Sequence, residues 1–157
     1  NKFKNIWHHG DFAKITNNKG FIIVGRSDTT LNPGGVRLGT AEIYSEIERF
    51  KEIKESLVVG QSWDNDIRII LFVILDSKSE LTEDLLKRMK LMIKKNASPR
   101  HVPHKIIKVQ DIPRTKSGKI VELAVKNTIE GNKIKNKEAL ANPLSLKQYS
   151  NIKELQY

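Results

Sequence analysis

Apolar positions recur along the chain in several distinct periods, and each period predicts an element. Residues 12–25, FAKITNNKGFIIVG, alternate around Asn17-Asn18-Lys19-Gly20, whose Asn and Gly tolerate positive φ, so a β-hairpin is expected. Ile43, Ile47 and Phe50 fall at i, i+4 and i+7, which predicts a helix from about Thr40, a favourable N-cap residue, to Lys51. Two apolar runs, SLVVGQSW at 56–63 and IRIILFVIL at 67–75, read as strands joined by a short turn at Asp64-Asn65-Asp66. The second run is apolar on both faces and is therefore expected at the centre of a sheet.

Leu85, Met89, Met92 and Ile93 share one face of a helix from about Thr82 to Lys95, which Pro99 prevents from running much further. Residues 104–109 form a third strand. Residues 120–130, IVELAVKNTIE, predict a last amphipathic helix with Gly131 at its C′ position. Beyond it, 132–157 is rich in Lys and Asn with few apolar anchors, and is expected to pack loosely or dock elsewhere. The order of elements predicts an α+β fold: a small domain with about three strands in one sheet and flanking helices, preceded by a hairpin that reads as the edge of something larger.

Composition narrows the class. At 157 residues and 38% hydrophobic, the chain can build one ordinary core with appendages. The absence of cysteine argues against a disulfide framework or Cys-based zinc binding, and favours an intracellular, cytoplasmic setting. No apolar run approaches the roughly 20 residues of a spanning helix, so no membrane span is expected. The net charge of +10 is uneven: residues 1–79 hold 11 Lys/Arg against 10 Asp/Glu, whereas 80–157 hold 17 against 8. A polyanionic partner is implied. Nucleic acid is disfavoured, because the few aromatics are scattered and do not interleave with a basic stripe.

Three stretches could carry chemistry. In 111-DIPRTKSGKIVE-122, Pro113, Thr115, Ser117 and Gly118 offer small residues and backbone N–H groups that let an anion approach, and Lys119 adds a point charge at the end. Read alone, it fits a solvated surface turn equally well. Asp11 could accept two hydrogen bonds from a ribose diol, and Arg26 could meet a phosphate or ribose oxygen. A metal site at His8, His9 and Asp11 is rejected, since neighbours in extended chain point apart and no third cluster of ligands exists; no metal ligand is expected in this chain. In 32-NPGGVRLGT-40, Gly34 and Gly35 would let an extended ligand lie against the backbone and Arg37 adds a charge, although a plain turn is the simpler reading.

The order and spacing of these stretches carry a resemblance. Gly10-Asp11, then GRSDTTLNPGGVRLGTAEIY at 25–44, then PRTKSGK at 113–119 resemble the C-terminal part of the adenylate-forming acyl-CoA synthetases. SLVVGQSW, ILFVIL, SPRHVP, VELAVK and LANPLSL are most similar to the branch of that family that activates acetoacetate. Such enzymes attach a carboxylate to the α-phosphate of ATP, release pyrophosphate, and then pass the acyl group to the CoA thiol with loss of AMP.

The resemblance implies roles residue by residue. Lys119 would be the adenylation lysine, carried in and out by a flexible approach. Asp11 would hold the ribose hydroxyls, Arg26 would contact the nucleotide, and Arg37 would lie near the phosphates. Asp28 would be the hinge between half-reactions. Gly34 and Gly35 would line the pantetheine tunnel, and Lys94 would meet the nucleotide phosphates of CoA, without the bidentate grip an Arg offers. Substrates would be acetoacetate, ATP and CoA. Magnesium, the acyl pocket and the phosphate loop would belong to a large N-terminal domain of the same chain. On this reading residues 1–27 are that domain's last hairpin, 28–131 the mobile C-terminal domain and 132–157 an extension, and the fragment alone should be inactive. Acetyl-, propionyl- or other acyl-CoA synthetases, and a stand-alone module binding CoA or nucleotide, are the alternatives.

Overall fold

The computed structural model describes residues 4, 6, 10–26, 30–134 and 136–156, and of residues 11, 12 and 24–26 the backbone alone. Strand β1 (Asp11–Ile15) pairs antiparallel with β2 (Phe21–Arg26), as the alternation predicts. The turn between them puts its positive φ, 59°, on Lys19 rather than on an Asn or the Gly. Lys19 N–H donates to the Thr16 carbonyl, and Thr16 N–H to the Gly20 carbonyl, and these two bonds set the conformation. Ile15, Phe21, Ile22 and Ile23 remain exposed on this hairpin.

The second sheet has the order β3-β4-β5: β3 (Ile53–Trp63) antiparallel to β4 (Asp66–Leu75), and β5 (Lys105–Lys108) parallel to β4. The β3–β4 connection is a two-residue hairpin with Asp64 at φ 48° and Asn65 at φ 59°, a pairing whose twist suits flanking strands and whose positive φ values Asp and Asn tolerate best after Gly. The parallel β5 needs a crossover. Helix α2 (Glu83–Asn96) supplies it, starting where the Thr82 hydroxyl accepts the Leu85 N–H.

The central strand explains the two-layer covering. Alternate residues of β4 enter opposite cores: Ile69, Leu71 and Val73 join Leu85, Met89 and Ile93 of α2 and the helix α1 (Ala41–Ile47), while Ile70 and Phe72 join Val125 of α3 (Glu122–Ile129) on the other face. Helix α1 stops at Ile47, short of the expected Lys51, because Phe50 turns into the first core and its N–H bonds to the Ile47 carbonyl in a tight turn. Thr40 does occupy the N-cap position, but its side chain makes no capping hydrogen bond. Helix α3 closes as expected at Gly131 (φ 69°): Gly131 N–H donates to the Thr128 carbonyl and Asn132 N–H to that of Asn127, a Schellman pair.

The expectation of a loosely packed tail is corrected. Leu140, Leu146, Tyr149 and Leu155 are buried in the second core, with Tyr149 edge-on to Phe72 at a ring separation of 4.9 Å. Leu146, Tyr149 and Leu155 sit on 3₁₀ turns and Leu140 directly follows one in extended backbone, so their side chains face the core at irregular spacing. The segment is also fastened by polar contacts: buried Arg68 donates from Nη2 to the Leu155 carbonyl at 2.7 Å, and lies 3.7 Å over the Trp63 ring. No helix among the described residues is long and apolar enough to cross a membrane.

Candidate active site

The motif loop begins where the second core ends. Ile112 and Pro113 are buried, Arg114 and Thr115 half-buried, and residues 116–119 exposed. Two antiparallel bridges shape it: Arg114 faces Ile120 within the loop, and Thr115 faces Leu140 from the C-terminal segment. Thr115 N–H donates to the Lys119 carbonyl at 2.8 Å, and Lys119 N–H to the Thr115 hydroxyl at 3.1 Å, so the turn closes on the lysine. Gly118 is held at φ 82° with no atom within 4 Å of a built Cβ; the left-handed backbone, and not crowding, requires glycine there.

Arg114 ties this turn to the sheet. Its Nη1 donates to the Gly118 carbonyl at 2.9 Å, and its Nη2 forms an ion pair with Glu55 of β3. In the stretch expected to approach flexibly, only the tip is exposed, and the base is held by buried Pro113, by Arg114 and by backbone bonds on both sides.

The glycine loop is a second short turn. Leu31 and Leu38 bridge across it with 3.0 and 2.9 Å bonds and bury their side chains in the first core, leaving Pro33–Gly35 as a 3₁₀ turn at the tip. Gly34 N–H donates to both carboxylate oxygens of Asp66, at 2.8 and 2.9 Å, and Asp66 Oδ1 also accepts the Ile67 N–H at 2.7 Å. The sequence marks Asp66 as a turn residue only; the structure makes it the strut under the glycine loop. Gly35, Asn32 and the β3–β4 turn together line an open cleft of about 630 Å³, and Arg37 borders a neighbouring hollow with Thr30, Asn32 and Gly35.

The Ile67 and Gly34 N–H groups hold the Asp66 carboxyl below the ordinary aspartate range, against a smaller opposing effect of burial. Because the folded-state pKa is depressed, the contact's contribution is complete above the ordinary aspartate pKa and is lost as pH falls through the lower folded value. The Gly34 amide resonance should therefore titrate at a pH below the ordinary aspartate range, and Asp66→Asn should abolish that titration. A midpoint at the ordinary value would show that the strut does not form in solution.

The remaining expected residues are placed as follows. Register sets Asp11 opposite Arg26 in the β1–β2 hairpin, while their side chains lie outside the described part. Asp28, His8 and His9 lie outside the described residues. Lys94 is exposed in the last turn of α2, on a separate element from both loops. Thr30, Leu31 and Asn32 share a cavity of about 300 Å³ with Glu122, Leu123 and Lys126, which brings the start of the glycine loop to the first turns of the helix that follows Lys119. Tyr44 helps fix this neighbourhood: its hydroxyl accepts the Val58 N–H at 3.0 Å and approaches Glu122 at 3.4 Å, and burial followed by the Glu122 charge raises its pKa above the ordinary tyrosine range.

Two loops of small residues with cationic side chains, carried on a compact sheet, suit an anionic ligand that is held only in part by this chain. The family model of the AMP-binding enzyme C-terminal domain matches residues 42–119, from α1 to the motif lysine. Residues 42–119 belong to this family. Acetoacetyl-coenzyme A synthetase of Rhizobium meliloti is 57% identical across 98% of this chain and 24% of its own length. Acetoacetyl-CoA synthetase of Xenopus tropicalis is 48% identical across 99% of this chain and 23% of its own length. Among solved structures, acetoacetyl-CoA synthetase from Streptomyces lividans superposes with a TM-score of 0.84 at 38% identity, covering 96% of this chain and 23% of that one. The resemblance and the α+β fold read from the sequence are upheld, including the likeness to the acetoacetate branch. This AMP-binding C-terminal domain and its flanking segments span about a quarter of the length of the curated relatives they match.

Proposed function

We propose that this chain serves, within a full-length protein, as the C-terminal part of an acid–thiol ligase that converts acetoacetate, ATP and CoA into acetoacetyl-CoA, AMP and pyrophosphate. The observation that carries the reading is the 57% identity to an acetoacetyl-coenzyme A synthetase over 98% of the chain. In the adenylation step two anions must meet, and the charge of Lys119 would offset the carboxylate and phosphate oxygens as they approach. Its exposed place at the end of a fixed loop suits delivery into a site built by another domain. Asp11 and Arg26 would hold the nucleotide, Arg37 would lie near its phosphates and Asp28 would be the hinge. Gly34 and Gly35 would border the pantetheine path along the cleft that Gly35 lines, and Lys94 would face the CoA phosphates. A large N-terminal domain would supply the acyl pocket and hold magnesium, and the exposed apolar residues of the β1–β2 hairpin suit a contact with it.

The test is product analysis of the full-length protein with a panel of acids. Acetoacetate should give its CoA thioester with AMP and pyrophosphate, and should exceed acetate and propionate in kcat/KM. Preference for another acid would move the protein to a different branch of the same reaction. Loss of thioester formation with every acid would leave a binding module.

A further inference from the structure

We infer that Asn142, outside the stretch matched by the family domain, is a positioning residue for Lys119. This inference rests on the proposed role of Lys119 in adenylation. The Asn142 side chain spends all its hydrogen-bonding groups on the base of the motif loop. Its Oδ1 accepts the Arg114 N–H at 2.8 Å, and its Nδ2 donates to the Ile112 carbonyl at 2.9 Å and to Asp111 Oδ2 at 2.7 Å. The backbone beside it continues the clamp: Ala141 N–H donates to the Arg114 carbonyl at 2.8 Å, and Lys116 N–H to the Ala139 carbonyl at 3.2 Å.

Asn142 is itself held rigidly. Pro143 follows it and restricts its backbone, and its carbonyl accepts both the N–H and the hydroxyl of Ser145, at 3.0 and 2.7 Å. Behind this turn, buried Tyr149 donates from its hydroxyl to the Asp111 carbonyl at 2.9 Å, and Gln148 Nε2 donates to the same carbonyl at 2.7 Å. The connection to the lysine is short: Asn142 fixes the Arg114 backbone, Arg114 holds the Gly118 carbonyl, and Lys119 follows directly. Glu55 holds the Arg114 side chain, whereas Ala139, Ala141 and Asn142 hold the backbone of residues 114 and 116, so loosening Asn142 frees the main chain that leads to the lysine. A misplacement of about 1 Å at a reacting centre can cost on the order of 10²-fold in rate.

The test uses the full-length protein with Asn142→Ala, and with Asn142→Asp, which keeps the acceptor toward Arg114 but loses both Nδ2 donations and faces the Asp111 carboxylate. Hydrogen exchange of the amides of residues 112–119 should quicken by about tenfold while that of β3 and β4 stays unchanged. Adenylation should slow by about tenfold or more with the KM values for ATP and acid unchanged, and thioester formation from supplied acyl adenylate should remain within about twofold. Unchanged exchange at 112–119 would overturn the clamp. Equal losses in both half-reactions would overturn the positioning role and leave a structural one. If Asn142→Ala also lost protection in β3 and β4, Asn142→Asp decides by the same criteria. Absence of acid-dependent pyrophosphate release in the unaltered protein would sink the proposed activity, while the exchange measurement would still decide whether Asn142 fixes the loop.

Discussion

Exchanging Lys119 for alanine in the full-length protein is expected to slow acid-dependent pyrophosphate release by about 10²–10³-fold, the usual cost of removing one preorganised electrostatic group. The loss should fall on kcat for adenylation, because the lysine is proposed to act on charge that concentrates as carboxylate and α-phosphate meet. Thioester formation from a supplied acyl adenylate and CoA should survive, since that step no longer brings those two anions together. The fold gives no reason for collateral damage: Lys119 is exposed, and the bonds that shape the turn use its backbone, which alanine keeps. Adenylation at near the original rate would remove Lys119 from the proposed role. Loss of both half-reactions in equal proportion would point to a structural defect instead.

The second large effect concerns the C-terminal segment. Tyr149→Ala should destabilise this unit by about 3–5 kcal/mol, as truncations of buried aromatics do. The ring is fully buried against Phe72, and the hydroxyl donates to the Asp111 carbonyl at the start of the motif loop. Burial, then the Asp111 charge, raises the hydroxyl's pKa above the ordinary tyrosine range, consistent with a neutral donor sealed from solvent. Urea-induced unfolding monitored by hydrogen exchange in β4 would measure the loss. A change below about 1 kcal/mol would mean that residues 136–156 are the loose appendage that composition alone suggested.

The elements that the sequence foretold are those whose side chains repeat. Strand β4 was legible because residues 69–73 are apolar without interruption, as a strand buried on both faces requires. Helix α2 was legible from Leu85, Met89 and Ile93 on one stripe and from Thr82 as its cap. The start of β3 at Ile53 was not, since Lys54 and Glu55 break the pattern at a bulge on the strand's opening residues. Nor was the C-terminal segment. Leu140, Leu146, Tyr149 and Leu155 are spaced by neither two nor 3.6 residues, and Lys and Asn between them hide a core contribution behind a polar composition.

The site divides in the same way. Lys119 and the glycine loop stood out because small residues beside a cation form a local signal. Their supports did not, because each is a contact between distant positions: Asp66 lies 32 residues from Gly34, Glu55 lies 59 from Arg114, and Asn142 lies 28 from Arg114. Such partners are ordinary turn, strand and loop residues until the fold brings them together.

The most direct test of the account is ATP–pyrophosphate exchange by the full-length protein in the absence of CoA. Exchange should depend on acetoacetate, saturate with it, and fall by about 10²–10³-fold in Lys119→Ala. Exchange that is absent with every acid, or that leaves Lys119→Ala unaffected, would contradict it.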